Sequence, residues 1–229
     1  MRTVKVKICG ITREEDLQMV CSLGADAVGF VVGVQHSPRN LTLKKAERLI
    51  RMVPSHVKSV LVTVPKSLDE TVKLHKRLKT DAIQIHGNIL QQPLALRNLL
   101  PDAYLIRATA LESQGVLERI VDESKFFDAI LIDTHVPGKH GGTGVTHDWN
   151  MSQHVRNAIF PKPLILAGGL NPENVRRSIC TVKPYGVDVS TGVESKPGIK
   201  DPVKVKAFIR EAKTVLLKDD YGEVGGYGG

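Results

Sequence analysis

The sequence predicts one α/β domain, a single (β/α)8 barrel, on three observations. Eight short apolar runs rich in β-branched residues recur along the chain. A segment of helical periodicity separates each from the next, and no linker interrupts the alternation. Parallel neighbours need a crossover between them, so strict alternation of strand and helix implies a parallel sheet. Eight such units within 229 residues favour closure into a barrel. Periodicity alone leaves an open doubly wound sheet as the alternative.

The strand candidates, in order, are VKVKIC (4–9), AVGFVVG (27–33), VKSVLVTV (57–64), AIQIH (82–86), AYLIRAT (103–109), FDAILID (127–133), PLILAG (163–168) and YGVDVS (185–190). Between the first two, Leu17, Val20, Cys21 and Gly24 fall at i, i+3, i+4 and i+7. Ala46, Leu49, Ile50 and Val53 repeat that pattern after the second, and Val205, Phe208, Ile209 and Ala212 repeat it after the last. Thr12 with Glu15 and Ser67 with Glu70 read as capping boxes. Asn171-Pro172 and Asp201-Pro202 read as N-caps followed by proline at the first helical position. The barrel is expected over residues 1–218, and the polar, glycine-rich DDYGEVGGYGG from Asp219 is expected to be a disordered tail.

Composition narrows the function classes. Hydrophobic residues are 41% and charged residues 24%, as in a globular domain. No apolar run reaches the roughly 18 residues of a membrane helix, and the N-terminus lacks a signal-peptide core, so the expectation is a cytoplasmic protein with no membrane partner. Three widely spaced cysteines suggest neither a zinc site nor a disulfide framework. The net charge of +8 suits nucleic acid or anionic small molecules equally. Aromatic residues at 4% are too few for a base-stacking platform, so a small anionic substrate is expected and nucleic acid is not. The sequence does not settle the oligomeric state.

In a (β/α)8 barrel the active site lies at the C-terminal ends of the strands. Those positions hold Cys9, His86, Asp133, Gly168-Gly169 and Ser190-Thr191-Gly192. Cys9 stands just ahead of a helix start, where the dipole would lower a thiol pKa; a small buried thiol closing the strand is the competing reading. Cys21 and Cys180 read as structural. Asp133 ends a run of mostly apolar residues and emerges at the rim, to cap a turn or to transfer a proton. Period-two alternation sets Gln84 and His86 on one side of their strand, as hydrogen-bonding wall residues.

The phosphate signal lies in two adjacent loops. LAGGLNPENV and VDVSTGVE follow the seventh and eighth strand candidates, the recurrent phosphate site of this fold. Glycines admit close backbone approach to an anion, and N–H groups at helix starts bind it. A third glycine cluster, GKHGGTG (138–144), has the length of a lid.

These motifs together resemble the phosphoribosylanthranilate isomerase family. The resemblance runs from Lys7-Ile8-Cys9-Gly10-Ile11-Thr12 through GADAVGF (24–30), Ser37-Pro38-Arg39, Gln84-Ile85-His86-Gly87, Ile132-Asp133, Gly141-Gly142-Thr143-Gly144 and Leu166-Ala167-Gly168-Gly169-Leu170 to Gly186-Val187-Asp188-Val189-Ser190. It implies an Amadori rearrangement of N-(5-phosphoribosyl)anthranilate in tryptophan biosynthesis, with neither metal nor organic cofactor. It also implies Asp133 as general acid, Cys9 thiolate as general base, and Arg39 against the anthranilate carboxylate. Asp188 would then bind the sugar hydroxyls, and Glu194 matches a family position near the phosphate end. Two other phosphate-binding barrels are the near rivals. A ribulose-phosphate epimerase needs a His/Asp metal site, and the isomerase of histidine biosynthesis needs an aspartate where Cys9 stands.

Overall fold

The computed structural model describes residues 1–87, 93–111, 115–134 and 148–221. Among them, eight parallel strands form the barrel: β1 (Lys5–Cys9), β2 (Ala27–Val32), β3 (Lys58–Thr63), β4 (Ala82–Ile85), β5 (Tyr104–Ala110), β6 (Ala129–Asp133), β7 (Leu164–Leu166) and β8 (Gly186–Val189). Each pairs with the next, and β1 pairs with both β8 and β2, which closes the sheet and excludes the open alternative. Eight helices cover the outside: α1 (Glu14–Ser22), α2 (Leu43–Arg51), α3 (Leu68–Leu78), α4 (Pro93–Leu99), α5 (Val116–Ser124), α6 (Trp149–Ile159), α7 (Val175–Val182) and α8 (Pro202–Lys213).

Alternation along β1 shows how the two faces divide. Val4, Val6 and Ile8 are fully buried against the helix layer, while Lys7 and Cys9 point inward. The barrel interior is built largely from small and β-branched residues such as Ala27, Val60, Ala82, Ala108, Ala129 and Ile165, with Leu131 among them. Outside, α1 buries Leu17, Val20 and Cys21, and α8 buries Val205, Phe208, Ile209 and Ala212. Each large side chain so buried contributes about 1.5–3 kcal/mol.

One device repeats at the strand starts. Asp26, Asp81 and Asp128 precede β2, β4 and β6. Each accepts a backbone N–H at the start of the preceding strand, from Val6, Ser59 and Leu105 at 2.8, 2.7 and 2.7 Å. A carboxylate on a backbone N–H is a charge-assisted bond, and three of them pin alternate strand pairs at the N-terminal end of the barrel.

Helix starts agree with expectation at Ser67, which accepts from the Glu70 N–H, and at Asp201, which caps α8 with Pro202 at its first position. Two differ. Arg13, not Thr12, precedes α1, and the Thr12 hydroxyl instead donates to the Gly198 carbonyl at 2.5 Å. Asn171 caps a turn, accepting from Glu173 and Asn174, and α7 begins only at Val175. At Thr12 a loop contact distant in sequence outcompetes the local cap; at Asn171 the bonds stay local and close a turn ahead of the helix.

The tail also departs from expectation at its start. Tyr221 is buried beneath the barrel, edge-on to Tyr185, with the Arg2 and Arg156 guanidinium groups against its ring. Asp220 pairs with Arg156 at 2.9 Å, and Arg2 and Leu217 exchange backbone hydrogen bonds. Residues 222–229 and the 138–144 glycine cluster lie outside the described residues. Among those described, no helix is long and apolar enough to cross a membrane.

Candidate active site

At the C-terminal ends of the strands lies a cavity of about 970 Å3. Of the residues singled out in the sequence, Arg39, His86, Asp133, Gly168, Gly169, Asp188, Ser190, Thr191 and Gly192 line it. Cys9 and Gln84 lie one layer deeper. The Gln84 amide sits 2.7 Å from His86 Nε2, so the buried amide orients the imidazole that faces the cavity.

Gly168 and Gly169 follow β7, and the first needs to be glycine. Its φ is +82°, and a Cβ there would run into the backbone N and hydroxyl of Thr134. That close approach draws the residue after Asp133 against the loop after β7. The second loop is a short 3-10 turn, Thr191–Val193, directly after β8. Ser190 Oγ and Gln84 Oε1 are buried with no hydrogen-bond partner among the described residues. Buried polar atoms left so are costly and uncommon, which marks both as places for a ligand or water.

Arg39 crosses from the loop after β2 to this second loop. Its Nε donates to Glu194 Oε1 at 2.8 Å and its Nη2 to Glu194 Oε2 at 2.5 Å and Thr191 Oγ1 at 2.9 Å. Glu194 begins a short strand, Glu194–Lys196, paired antiparallel with Ile199–Lys200. Lys200, at the end of that hairpin, is fully inside. Its ammonium donates to the carbonyls of Cys9 (2.6 Å) and Ser190 (3.2 Å) and to Glu194 Oε1 (2.9 Å). Burial would push the Glu194 carboxyl up, but Arg39 and Lys200 together hold it below its ordinary value. Burial pulls Lys200 below the usual lysine range, only partly offset by the carboxylate it shares with Arg39.

Cys9 differs from its expectation. Burial drives its thiol above the ordinary value, opposed by Lys7 and Lys200 and reinforced by Asp188. Helix α1 begins only at Glu14, and the Gly10 and Ile11 N–H groups both donate to the Gly29 carbonyl, so no helix terminus faces the sulfur. Cys21 is buried in the helix layer and pushed up to about 11, as an inert core thiol should be. Cys180 lies on α7 as expected but is exposed, so the structural role read for it is not one of core packing.

Sequence reasoning missed Lys7 and Lys200. Lys7 is fully buried, with its ammonium 2.9 Å from Asp188 Oδ1. The alternation that turns Cys9 inward does the same for Lys7, so that signal was present. Nothing local marks Lys200, whose partners stand up to 191 residues away. Among the described residues no group of three or more His, Cys, Asp or Glu is arranged to hold a metal ion.

The family model for N-(5'-phosphoribosyl)anthranilate isomerase matches residues 6–211. The chain belongs to this family. A relative from Methanothrix thermoacetophila named N-(5'-phosphoribosyl)anthranilate isomerase is 42% identical, over 92% of this chain and 98% of its own. The crystal structure of phosphoribosyl anthranilate isomerase from Thermotoga maritima superposes with a TM-score of 0.81 at 37% identity, covering 93% of this chain and all of that one. A second solved family structure holds reduced 1-(o-carboxyphenylamino)-1-deoxyribulose 5-phosphate; its TM-score is 0.78 at 36% identity, with the same coverage. This barrel is therefore an isomerase of tryptophan biosynthesis.

Proposed function

We propose that the chain converts N-(5'-phosphoribosyl)anthranilate to 1-(2-carboxyphenylamino)-1-deoxyribulose 5-phosphate by general acid–base catalysis, with Asp133 as acid and Cys9 as base. The observation that carries this reading is a carboxyl and a thiol at the ends of β6 and β1, with the loops after β7 and β8 between them around one rim. Asp133 protonates the ribose ring oxygen as the C1–O bond breaks, leaving an iminium. Cys9 thiolate then takes the C2 proton, and the C–H electrons form the enolamine, which tautomerises to the aminoketose.

The remaining roles follow from charge and shape. The phosphate lies against Gly168, Gly169, Ser190, Thr191 and Gly192, where the unpartnered Ser190 hydroxyl supports an anion. The Arg39 fork suits the anthranilate carboxylate. It is held by Glu194 here, so the substrate carboxylate must share or replace that partner. Asp188 directs one oxygen to Lys7 and has the other for sugar hydroxyls. The Gln84–His86 pair forms the wall beside them. Three free thiols fit a cytoplasmic enzyme.

The test is turnover of phosphoribosylanthranilate by the intact chain, followed as loss of the substrate's fluorescence. Turnover is expected, and folded protein that leaves the fluorescence unchanged overturns the reading.

A further inference from the structure

The geometry assigns Lys7 a task in the reaction: its buried ammonium, paired with Asp188, stabilises the Cys9 thiolate inside the barrel against the burial that opposes it. The inference rests on Cys9 as the base and adds what makes a buried thiol able to act as one.

Three observations place the two groups together. Lys7 and Cys9 are two residues apart on β1, so both face inward, one layer above the other. Cys9 stands in register with Gly29 on β2. A Cβ added at Gly29 would come 2.9 Å from the Cys9 sulfur and 3.1 Å from the Lys7 ammonium. The missing side chain is thus the space that thiol and ammonium share, and nothing of β2 separates them.

The fold itself gives no reason for a lysine there. Most of this interior is apolar, from alanine and valine to isoleucine and leucine, and Lys7 is its one buried cation on β1. A buried ion pair stabilises a core no better than apolar residues of equal volume. Four charged groups face Cys9: Lys7 from its own strand, Asp188 from β8, Lys200 from the hairpin and Arg39 from the loop after β2. Lys200 directs its three protons to the Cys9 and Ser190 carbonyls and to Glu194, and Arg39 is committed to Glu194 and Thr191. Lys7 gives one proton to Asp188 and has two more, on an ammonium that shares the Gly29 space with the sulfur. Lys7 stays an ammonium throughout: burial pulls it down, but Asp188 and Cys9 together raise it above the usual value. It donates a hydrogen bond to the thiolate and exchanges no proton with the substrate.

Cys21 supplies an internal control, because it is as buried as Cys9 (7% against 8% exposed) and burial alone sets its thiol. In the unvaried protein at pH 7, iodoacetamide should label Cys9 at least about tenfold faster than Cys21, read on the separated peptides by mass spectrometry. In Lys7→Met that lead should shrink, and the acid limb of kcat/KM should rise by about one pH unit or more. Equal labelling of the two thiols in the unvaried protein overturns the inference, as does an acid limb that Lys7→Met leaves in place. If Lys7→Met does not fold, Lys7→Met/Asp188→Asn leaves no unpaired charge. A smaller rise is expected there, since Asp188 opposes Lys7, and no rise overturns the inference. The underlying reading fails separately: near-normal kcat in Cys9→Ser removes the base, whereas an inactive Cys9→Ser beside an unmoved Lys7→Met profile removes only the role of Lys7.

Discussion

Cys9 and Asp133 end strands that are three apart around the rim, with the loops after β7 and β8 between them, and the proposed mechanism makes one the base and the other the acid. At the scale of single residues this division of labour predicts separate losses. Cys9→Ser and Asp133→Asn should each lower kcat by about 10²-fold or more, the usual size of an acid–base contribution. Substrate affinity should change little, because the phosphate loops are untouched; titration of product with each variant checks this, and near-normal kcat in either removes that residue from its role. The places of these two residues at strand ends were legible in the sequence. The state of Cys9 was not. A helix start close in sequence suggests a lowered thiol, but the N–H groups at that turn bind Gly29, and burial, which no local pattern reports, dominates.

At the scale of elements, the hairpin formed by Glu194–Lys196 and Ile199–Lys200 ties the end of β1, the loop after β2 and the turn after β8 into one unit. Glu194 is its centre, a buried carboxylate between two cations. Glu194→Gln should cost about 3 kcal/mol at pH 7 by leaving Arg39 and Lys200 facing a neutral amide, a fall in Tm of roughly 6–12 °C. The folded carboxyl lies below its ordinary value, so its contribution is complete above about pH 4.3 and is lost as pH falls through the folded value. The Tm difference between the unvaried protein and Glu194→Gln should therefore narrow below about pH 4; a constant gap would show that the pair is not what stabilises the hairpin. All eight strands were readable, because barrel strands are short apolar runs of a kind that stands out between amphipathic helices. The hairpin was not, since ESKPGIK carries polar residues and its partners lie on β1 and the β2 loop. The aspartates before β2, β4 and β6 were visible as DA dipeptides, but their bonds run to other strands and emerge only with the register.

For the whole molecule, chemistry sits at one end of the barrel and closure at the other. Tyr221 seals the N-terminal end against Tyr185 and Phe160, held between Arg2 and Arg156. Tyr221→Ala should lower stability by about 3 kcal/mol, the scale for removing a buried aromatic ring, with kcat and KM unchanged. A thermal melt and a steady-state assay on the same sample check both halves. Loss of activity in a variant that melts normally would mean that the floor and the mouth communicate. This clasp escaped the sequence because a polar, glycine-rich tail gives no sign of one tyrosine that finds a pocket.

The hydrogen bonds between Arg2 and Leu217 bring the segment before β1 and the segment after α8 side by side at that floor. Arg2 and Leu217 thus meet on the face turned away from the cavity. A tag, a surface anchor or a whole neighbouring domain joined close to Arg2 or Leu217 would start from below the barrel, on the side away from the mouth. The same adjacency means that a short joining segment between the ends, with a new opening cut in an outer loop, would redraw the order of the elements without moving the reacting groups.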